Sequence, residues 1–347
     1  MTIEQRFGES SPLSIGVEEE VMLLDAATLA PVGAIRDLLA RTQGLDLPGT
    51  LKTELHASVV ELTTGICATA EDAVEAIRVL RMRTLEALTG LGLTVAAAGS
   101  HPFAEPEELP ITDEERYREM VGYAGVTARR QGVNGLHVHV GMPGPEECMR
   151  TLETILPWMP VVLALSANSP YLAGRATGLA SNRAEILAQL PRSAAPPLFE
   201  SYSAWERWIE SFIATGLMKD YTQAWWDVRP HPRFGTLEIR MPDQPTDIRQ
   251  TAGFVGLLRN LSAWALEHPA AEPADRGIYQ QNRWAAARFG PEAELIHEGR
   301  LVAVRDLYDA LPVESALDPA VSEAALQLGH GDVRAACADI VARTWPS

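Results

Sequence analysis

Apolar and polar positions alternate along Ser14–Leu24 (SIGVEEEVMLL), the pattern of a strand that ends at an Asp/Ala/Thr turn. Residues 52–64 (KTELHASVVELTT) read as a second extended segment. Thr69 then stands as an N-cap with Asp72 three residues later, and Val74, Ile77, Leu80, Thr84, Leu88 and Leu91 follow as a helical stripe. Leu93 to Ala98 predicts a short buried strand, stopped by Gly99-Ser100-His101-Pro102. Thr112 with Glu115 predicts a capping box that opens a helix reaching about Gln131. The run VNGLHVHVGMP follows as a strand, and 146–167 as a buried helix broken near Pro157 and Pro160. Residues 168–198, rich in Pro, Gly, Asn and Ser, read as a long loop, a length more often functional or disordered than idle. A helix is expected over 201–216, two strands around a Pro-rich turn in WWDVRPHPRFGTLEIRM, and mostly helix from Thr246 onward. Strands separated by long helices without a βαβ rhythm predict an α+β fold, and no repeat or linker divides the chain, so one domain over 1–347 is expected.

Successive strand residues face opposite sides, so residues two apart share a face about 6.5–7 Å from one another. By that rule Glu18 and Glu20 stand together, opposite Val17, Glu19 and Val21. His137 and His139 share a face opposite Leu136, Val138 and Val140; Glu238 and Arg240 share one with Thr236, opposite Leu237 and Ile239. Taken singly, these are a solvated sheet edge, a pair of hydrogen-bonded core histidines and a cross-strand ion pair. Together they predict one sheet face lined with carboxylates and imidazoles, which suits Mg²⁺ or Mn²⁺ better than zinc because oxygen donors outnumber nitrogen.

The 52–64 segment adds Glu54, His56 and Glu61, but Glu54 and Glu61 are an odd number apart. A straight strand would put them on opposite faces, so either a bulge intervenes or one faces away, with Glu61 the firmer choice. Arg229, Arg233 and Arg240 in RPHPRFGTLEIR, with Arg175 and Arg183 in GRATGLASNR, supply forked donors for carboxylate or phosphate. Arg233, held between two prolines and a glycine, is singled out.

Composition mostly excludes. The chain is 347 residues long, 46% hydrophobic and 22% charged, with a formal net charge of −17, so nucleic acid and anionic membranes are poor partners. Its only lysines, Lys52 and Lys219, stand in no G-x-x-x-x-G-K-[ST] context, so ATP use would not involve a P-loop. Gly90 and Gly92 lack the third glycine of a dinucleotide site, and there is no G-x-S-x-G. Cys67, Cys148 and Cys337 form no disulfide or zinc pattern, and Cys67 is expected to be buried. A polar N-terminus without an apolar h-region predicts a cytoplasmic protein.

GVEEE, ELHASVVELTTGIC, NGLHVHVG, SANSPYLAGRATGLASNR and WWDVRPHPRFGTLEIRMPDQPT, in this order, resemble the type-2 glutamate–cysteine ligases. These are carboxylate–amine ligases of the glutamine synthetase-like superfamily, and the match runs from about residue 14 to 247. The resemblance implies a curved, largely antiparallel sheet with the active site on its concave face, backed by helices. It implies ATP-dependent ligation through an acyl phosphate, with ATP and Mg²⁺ (or Mn²⁺) required, small-molecule substrates and a possible homo-oligomer. Carried onto this chain, it makes Glu18, Glu20, Glu61 and Glu238 metal ligands, with one of the two histidines, here His137, completing a shell. Arg233 and Arg240 become catalytic. His139, Glu54, Asn134, Arg183 and Arg229 become substrate- or nucleotide-binding. Asn134-Gly135 and Ser181-Asn182-Arg183 depart from the Cys-Gly and Ser-Tyr-Arg of the family, which leaves the metal and ATP chemistry untouched and puts glutamate and cysteine specificity in question. The competing readings are a ligase for another amine, a phosphagen-type kinase of the same superfamily, and a metal-dependent hydrolase.

Overall fold

The computed structural model describes residues 3–345; residues 1, 2, 346 and 347, which the one-domain span includes, lie outside the described residues. Seven strands form the main sheet: β1 (Ile15–Asp25), β2 (Gly49–Thr53), β3 (Val59–Thr64), β4 (Leu93–Ala96), β5 (Leu136–Gly141), β6 (Val228–His231) and β7 (Thr236–Ile239). Their order is β6-β7-β5-β1-β3-β2, every pairing is antiparallel, and β4 extends the β5 edge along the second half of β1. The α+β expectation therefore holds.

One face of this sheet is closed by helices. Val17, Val21, Val60, Leu62, Leu136, Val138, Val140, Leu237 and Ile239 point into that layer with essentially no exposure. α1 (Ile35–Thr42) lies beside α2 (Ala70–Leu88), which packs on β1 and β3. The broken apolar helix α3 (Pro145–Ile155) and α4 (Met159–Ser166) comes next, then α5 (Tyr202–Ala214) and α6 (Ile248–Glu267), the last lying against α2, α3 and β5. The Pro145–Ser166 run is long and apolar enough to cross a membrane, yet 78% of its most apolar window is buried inside the protein, as a core helix requires. The break falls at Pro157, where a 3₁₀ turn (Leu156–Trp158) replaces the α-helical ladder.

Glu19 is the exception on the apolar face. Its carboxylate takes two hydrogen bonds from Arg81 of α2 (Nε–Oε2 2.6 Å, Nη2–Oε1 2.8 Å) and one from Thr251 of α6 (2.6 Å). The other Arg81 donors reach the carbonyls of Pro245 and Thr246, at 3.1 and 2.8 Å. Both side chains are fully buried, so the pair stands only because nearly every donor and acceptor is met.

Several expectations change. The 52–64 segment is a hairpin, with β2 and β3 joined through residues 54–58. Thr112 does not cap a helix: its Oγ1 donates to the Glu54 carbonyl, and the helix begins at Glu115 behind an Asp113-Glu114 turn without a side-chain cap. That helix (Glu115–Ala124) is broken at Gly125, which adopts a positive φ of 59°, and resumes as a short helical turn, Val126–Arg129, so the helical stretch reaches nearly to Gln131 but in two pieces. The 168–198 stretch carries a short helix, Asn182–Leu187, capped by Ser181. A hairpin (Glu294–His297 with Arg300–Ala303) interrupts the helical C-terminal part. Cys67 is half-buried rather than buried, and all three cysteines are free. Thr69 caps α2 as expected, accepting from the Asp72 N–H.

Removing one member of the Glu19–Arg81 pair strands a buried charge. Glu19→Gln is expected to lower stability by about 3–5 kcal/mol, and Glu19→Leu/Arg81→Met to recover much of it. Urea denaturation of the single and double variants checks this; equal loss in both would show that the pair has no such role.

Candidate active site

The opposite sheet face is polar and lines a cleft of about 680 Å³. Register decides what meets there. Glu20 sits across from Glu61, and Glu61 from Lys52; Glu18 sits across from His137; His139 sits across from Glu238, and Glu238 from Arg229. Because every strand in the row obeys the same alternation, three expected pairs of groups become one surface.

At the β2–β3 end, carboxylate oxygens of Glu20, Glu54 and Glu61 lie within 4.8 Å of one another. The parity objection to Glu54 disappears because it leaves β2 in phase with Lys52 while Glu61 belongs to β3. Burial, reinforced by Glu20 and Glu61, raises the Glu54 carboxyl well above the usual carboxylate range. Burial likewise raises Glu20 and Glu61, each against a nearby cation, Arg183 and Lys52 respectively. Lys52 Nζ donates to Glu61 (2.9 Å), the Thr63 hydroxyl also donates to Glu61 (2.8 Å), and the Gly135 N–H donates to Glu20 (2.6 Å). Three carboxylates so close, with one ammonium beside them, have a deficit of positive charge that a divalent cation would fill.

A second set comprises Glu18, His139 and Glu238, whose ligand-capable atoms also fall within 4.8 Å of one another. His139 Nδ1 bonds the Thr236 hydroxyl at 3.0 Å, while its buried Nε2 has no hydrogen-bond partner among the described residues and lies 3.7 Å from Glu18. His137 instead contacts Glu18 through Nδ1 at 3.2 Å. Burial and Arg240 drive His137 down to about 4, so at neutral pH it gives Glu18 a hydrogen bond without a charge. The sequence reading made His137 the ligand; the geometry places His139 with both carboxylates. Neighbouring rings show no asymmetry that parity could have revealed, since both histidines share the face.

Glu238 is ionised, and held well below the usual range despite burial, because Arg229 and Arg240 flank it. Arg229 binds it bidentately (2.6 and 3.0 Å), and Arg240 binds it at 2.6 Å. Arg229 is thereby a buried group that positions Glu238 in the cleft wall, its Nη1 donating to the Thr222 and Ala224 carbonyls at 2.5 and 2.9 Å. Arg233 differs. It projects from the Pro232–Phe234 turn at the mouth of the cleft, exposed, and makes no ion pair among the described residues.

Two expected substrate contacts move elsewhere. Asn134 is buried, does not line the cleft, and bonds the Ala98 carbonyl at 3.1 Å; it has the parity of Leu136 and Val138, the apolar face. Arg183 reaches the cleft wall, but its guanidinium bonds the carbonyls of Met241 (3.1 Å) and Arg240 (3.0 Å), beside Asp243. It can do so only because position 135 is glycine: a Cβ there would sit 2.1 Å from Arg183 Nη2. Asn182 is also absent from the cleft lining, as is Arg175. Lys52, Tyr117 and His231 line the cleft without having been picked out. Lys52 was legible, since it shares the parity of Glu54, and so was His231, which shares that of Arg229 on β6; Tyr117 was not, because it comes from a helix outside the sheet. His231 stacks on Phe234 (centroids 4.1 Å apart) and meets His139 edge-on at 5.2 Å.

Known proteins resemble this chain in sequence and in fold. The family model for glutamate–cysteine ligase family 2 matches residues 14–343. A protein of Rubrobacter xylanophilus provisionally named glutamate–cysteine ligase 2-3 is 43% identical over 294 residues, covering 84% of this chain and 80% of its own length. A Herpetosiphon aurantiacus protein provisionally named glutamate–cysteine ligase 2 is 36% identical over 293 residues, 83% of this chain and 76% of its own. Among solved structures, a bifunctional glutathione synthetase from Pasteurella multocida superposes with a TM-score of 0.71 at 15% identity, over 96% of this chain; this chain spans about half (52%) of that one. The glutamate–cysteine ligase of Francisella tularensis, solved with AMP, gives 0.67 at 14% identity, over 97% of this chain and 89% of that one. The structures speak for the fold, and the family match and the close relatives for descent: this chain belongs to glutamate–cysteine ligase family 2.

Proposed function

We propose that this chain is an ATP-dependent carboxylate–amine ligase of the cytoplasm that joins the γ-carboxylate of glutamate to the amine of cysteine, with residues 1–347 acting as one catalytic unit. The observation that carries the reading is the sheet face itself: two oxygen-rich ligand sets side by side, with an unpaired guanidinium at the mouth. The sets fit hard divalent cations, since the crowded Glu20, Glu54 and Glu61 carboxyls lack enough positive charge and the His139 Nε2 lacks a partner. Glu20, Glu54 and Glu61 would hold one cation, and Glu18, His139 and Glu238 another. When bound, Mg²⁺ or Mn²⁺ would neutralise phosphate oxygens of ATP.

The substrate carboxylate oxygen attacks the γ-phosphorus of ATP; an O–P bond forms, the bond to the bridging oxygen breaks, and ADP leaves. The acceptor nitrogen then attacks the acyl carbon, phosphate departs with the C–O electron pair, and the nitrogen loses a proton. For such chemistry the protein needs placement and fixed charge more than a nucleophile. Arg233, exposed at the mouth, is suited to the transferring phosphoryl group, and Arg240 adds a second guanidinium to the same cleft. The Arg229 fork keeps the Glu238 carboxylate from rotating. Lys52 tempers the acid cluster from the other side. Since neither Asn134 nor Asn182 lines the cleft, the two departures from the family pattern give no ground for excluding cysteine.

The test is ADP release by purified protein with Mg²⁺, ATP and glutamate, across cysteine and a panel of other amines. Cysteine-stimulated ADP with γ-glutamylcysteine as product is expected. Stimulation by another amine alone would reassign the acceptor, a stable phosphorylated product would point to a kinase, and no acceptor-dependent ADP from folded protein would sink the reading.

Cation binding is predicted to show in stability and to depend on pH. The Glu54 group has a raised folded-state pKa, so the stability it contributes without metal is present at low pH and is lost as pH climbs through the raised value. A cation displaces those protons, so Mn²⁺ should raise the melting temperature more at pH 8 than at pH 5. Saturation a hundredfold over Kd is worth about 2.7 kcal/mol. Glu54→Gln should shrink the pH 8 shift, and an unchanged shift would remove Glu54 from the cation site.

A further inference from the structure

Residues 3–9 run across the turn that carries Arg233. The Arg6 N–H and the Gly235 N–H both donate to the Pro232 carbonyl, each at 2.9 Å. The Gly8 N–H donates to the Met142 carbonyl (3.0 Å), and the Met142 N–H donates in turn to the Gly235 carbonyl (3.0 Å). Upstream, the Ile3 N–H donates to Glu206 Oε1 on α5 at 3.2 Å. Ile3 and Glu4 line the cleft together with Arg233 and Phe234. The N-terminal segment is therefore laced at one end to α5, in the middle to the turn, and at the other end to the residue that follows β5.

Gly235 makes this approach possible on two counts. It has a left-handed φ of 66°, and a Cβ there would lie 2.3 Å from the Arg6 carbonyl oxygen. A side chain at 235 would have to push the segment off the turn. Gly8, at a φ of 82°, would bring a Cβ 2.9 Å from the Pro143 carbonyl oxygen, so the same closeness recurs at the far end.

We propose that residues 3–9 are a strap that fixes the Pro232–Gly235 turn and so holds the free guanidinium of Arg233 ready for the phosphates of the nucleotide, with Gly235 and Glu206 as positioning residues. This rests on the ligase reading. An arginine on a wandering turn must be ordered at each binding event, whereas one on a laced turn has lost that freedom at folding. The strap thus acts on nucleotide affinity through Arg233 and touches neither carboxylate cluster.

The experiment measures KM for ATP, KM for glutamate and kcat for the unaltered full chain, Gly235→Ala, Glu206→Leu, Arg233→Ala and the two double variants containing Arg233→Ala. Gly235→Ala is expected to raise the ATP KM about tenfold and Glu206→Leu roughly threefold, with the glutamate KM and Mn²⁺ binding unchanged. In the Arg233→Ala background neither should raise the ATP KM further. Two results overturn the strap: single variants with an unaltered ATP KM, or effects that persist in full without Arg233. Should Gly235→Ala not fold, Glu206→Leu, which lies away from the turn, decides through the same cycle. An unaltered chain that folds but neither binds nor turns over ATP sinks the ligase reading, and the strap with it.

Discussion

The buried pairing of Glu19 with Arg81 is the constraint on which the site depends. β1 carries three consecutive glutamates, and a slip of one residue would exchange the faces of all of them. With Glu19 clamped between α2 and α6 by Arg81 and Thr251, only one phase of the strand is allowed. Glu18 and Glu20 must then emerge on the cleft side. A charge placed in the apolar layer is costly, yet it discriminates between registers: a slip of one would bury both Glu18 and Glu20 against the single Arg81 and turn Val17 and Val21 outward, and a slip of two would set a valine there and leave Arg81 without a counter-ion. The same antiparallel ladders carry that choice outward from β1, to Glu61 and Lys52 on one side and to the histidines, Glu238 and Arg229 on the other.

Charge is then distributed unevenly along the row, and the unevenness has a chemical use. At the β6–β7 end two arginines surround Glu238, leaving it ionised and immobile. At the β2–β3 end Glu20, Glu54 and Glu61 face one lysine, and burial raises all three. A cleft with positive charge at one end and crowded carboxyls at the other has the polarity that the proposed function asks for, since it would orient a polyphosphate entering with its cations. Arg233, exposed on the β6–β7 turn and without an ion pair among the described residues, is the group that the proposed function assigns to the substrate.

The parts legible in the sequence were those governed by local periodicity. The alternation in β1, β5 and β7 identified the facing groups correctly, and the Thr69 cap located α2. What failed required knowing where the chain turns. Glu54 and Glu61 looked out of phase because the hairpin between them was invisible in KTELHASVVELTT, which has no Gly or Pro to mark a turn. Asn134 was misplaced by adjacency: it lies three residues from His137, and the same parity rule that found the histidines puts it on the other face. Arg183 was expected at substrate because arginine fits anions, but a guanidinium serves backbone carbonyls equally well when they are buried. Choosing between His137 and His139 was beyond periodicity altogether, since it turns on which ring nitrogen approaches Glu238.

Arg183 also shows why the segment after β7 matters more than its irregular backbone suggests. Asp243 accepts from the Asn168 N–H (2.8 Å) and from the hydroxyls of Ser169 (2.6 Å) and Ser181 (2.8 Å), tying both ends of the 168–181 excursion to the sheet. A Cβ at Gly99 would fall 2.7 Å from that same carboxylate, so the β4 exit is moulded to it too. Arg183, placed by this anchorage, then grips the carbonyls of Arg240 and Met241. The result is that the backbone of Arg240 is held from outside the sheet while its side chain is held by Glu238 from within. A residue constrained at both ends keeps its charge in place without reorganising, which is the condition under which fixed charge is most effective in catalysis and the one that the proposed role of Arg240 requires.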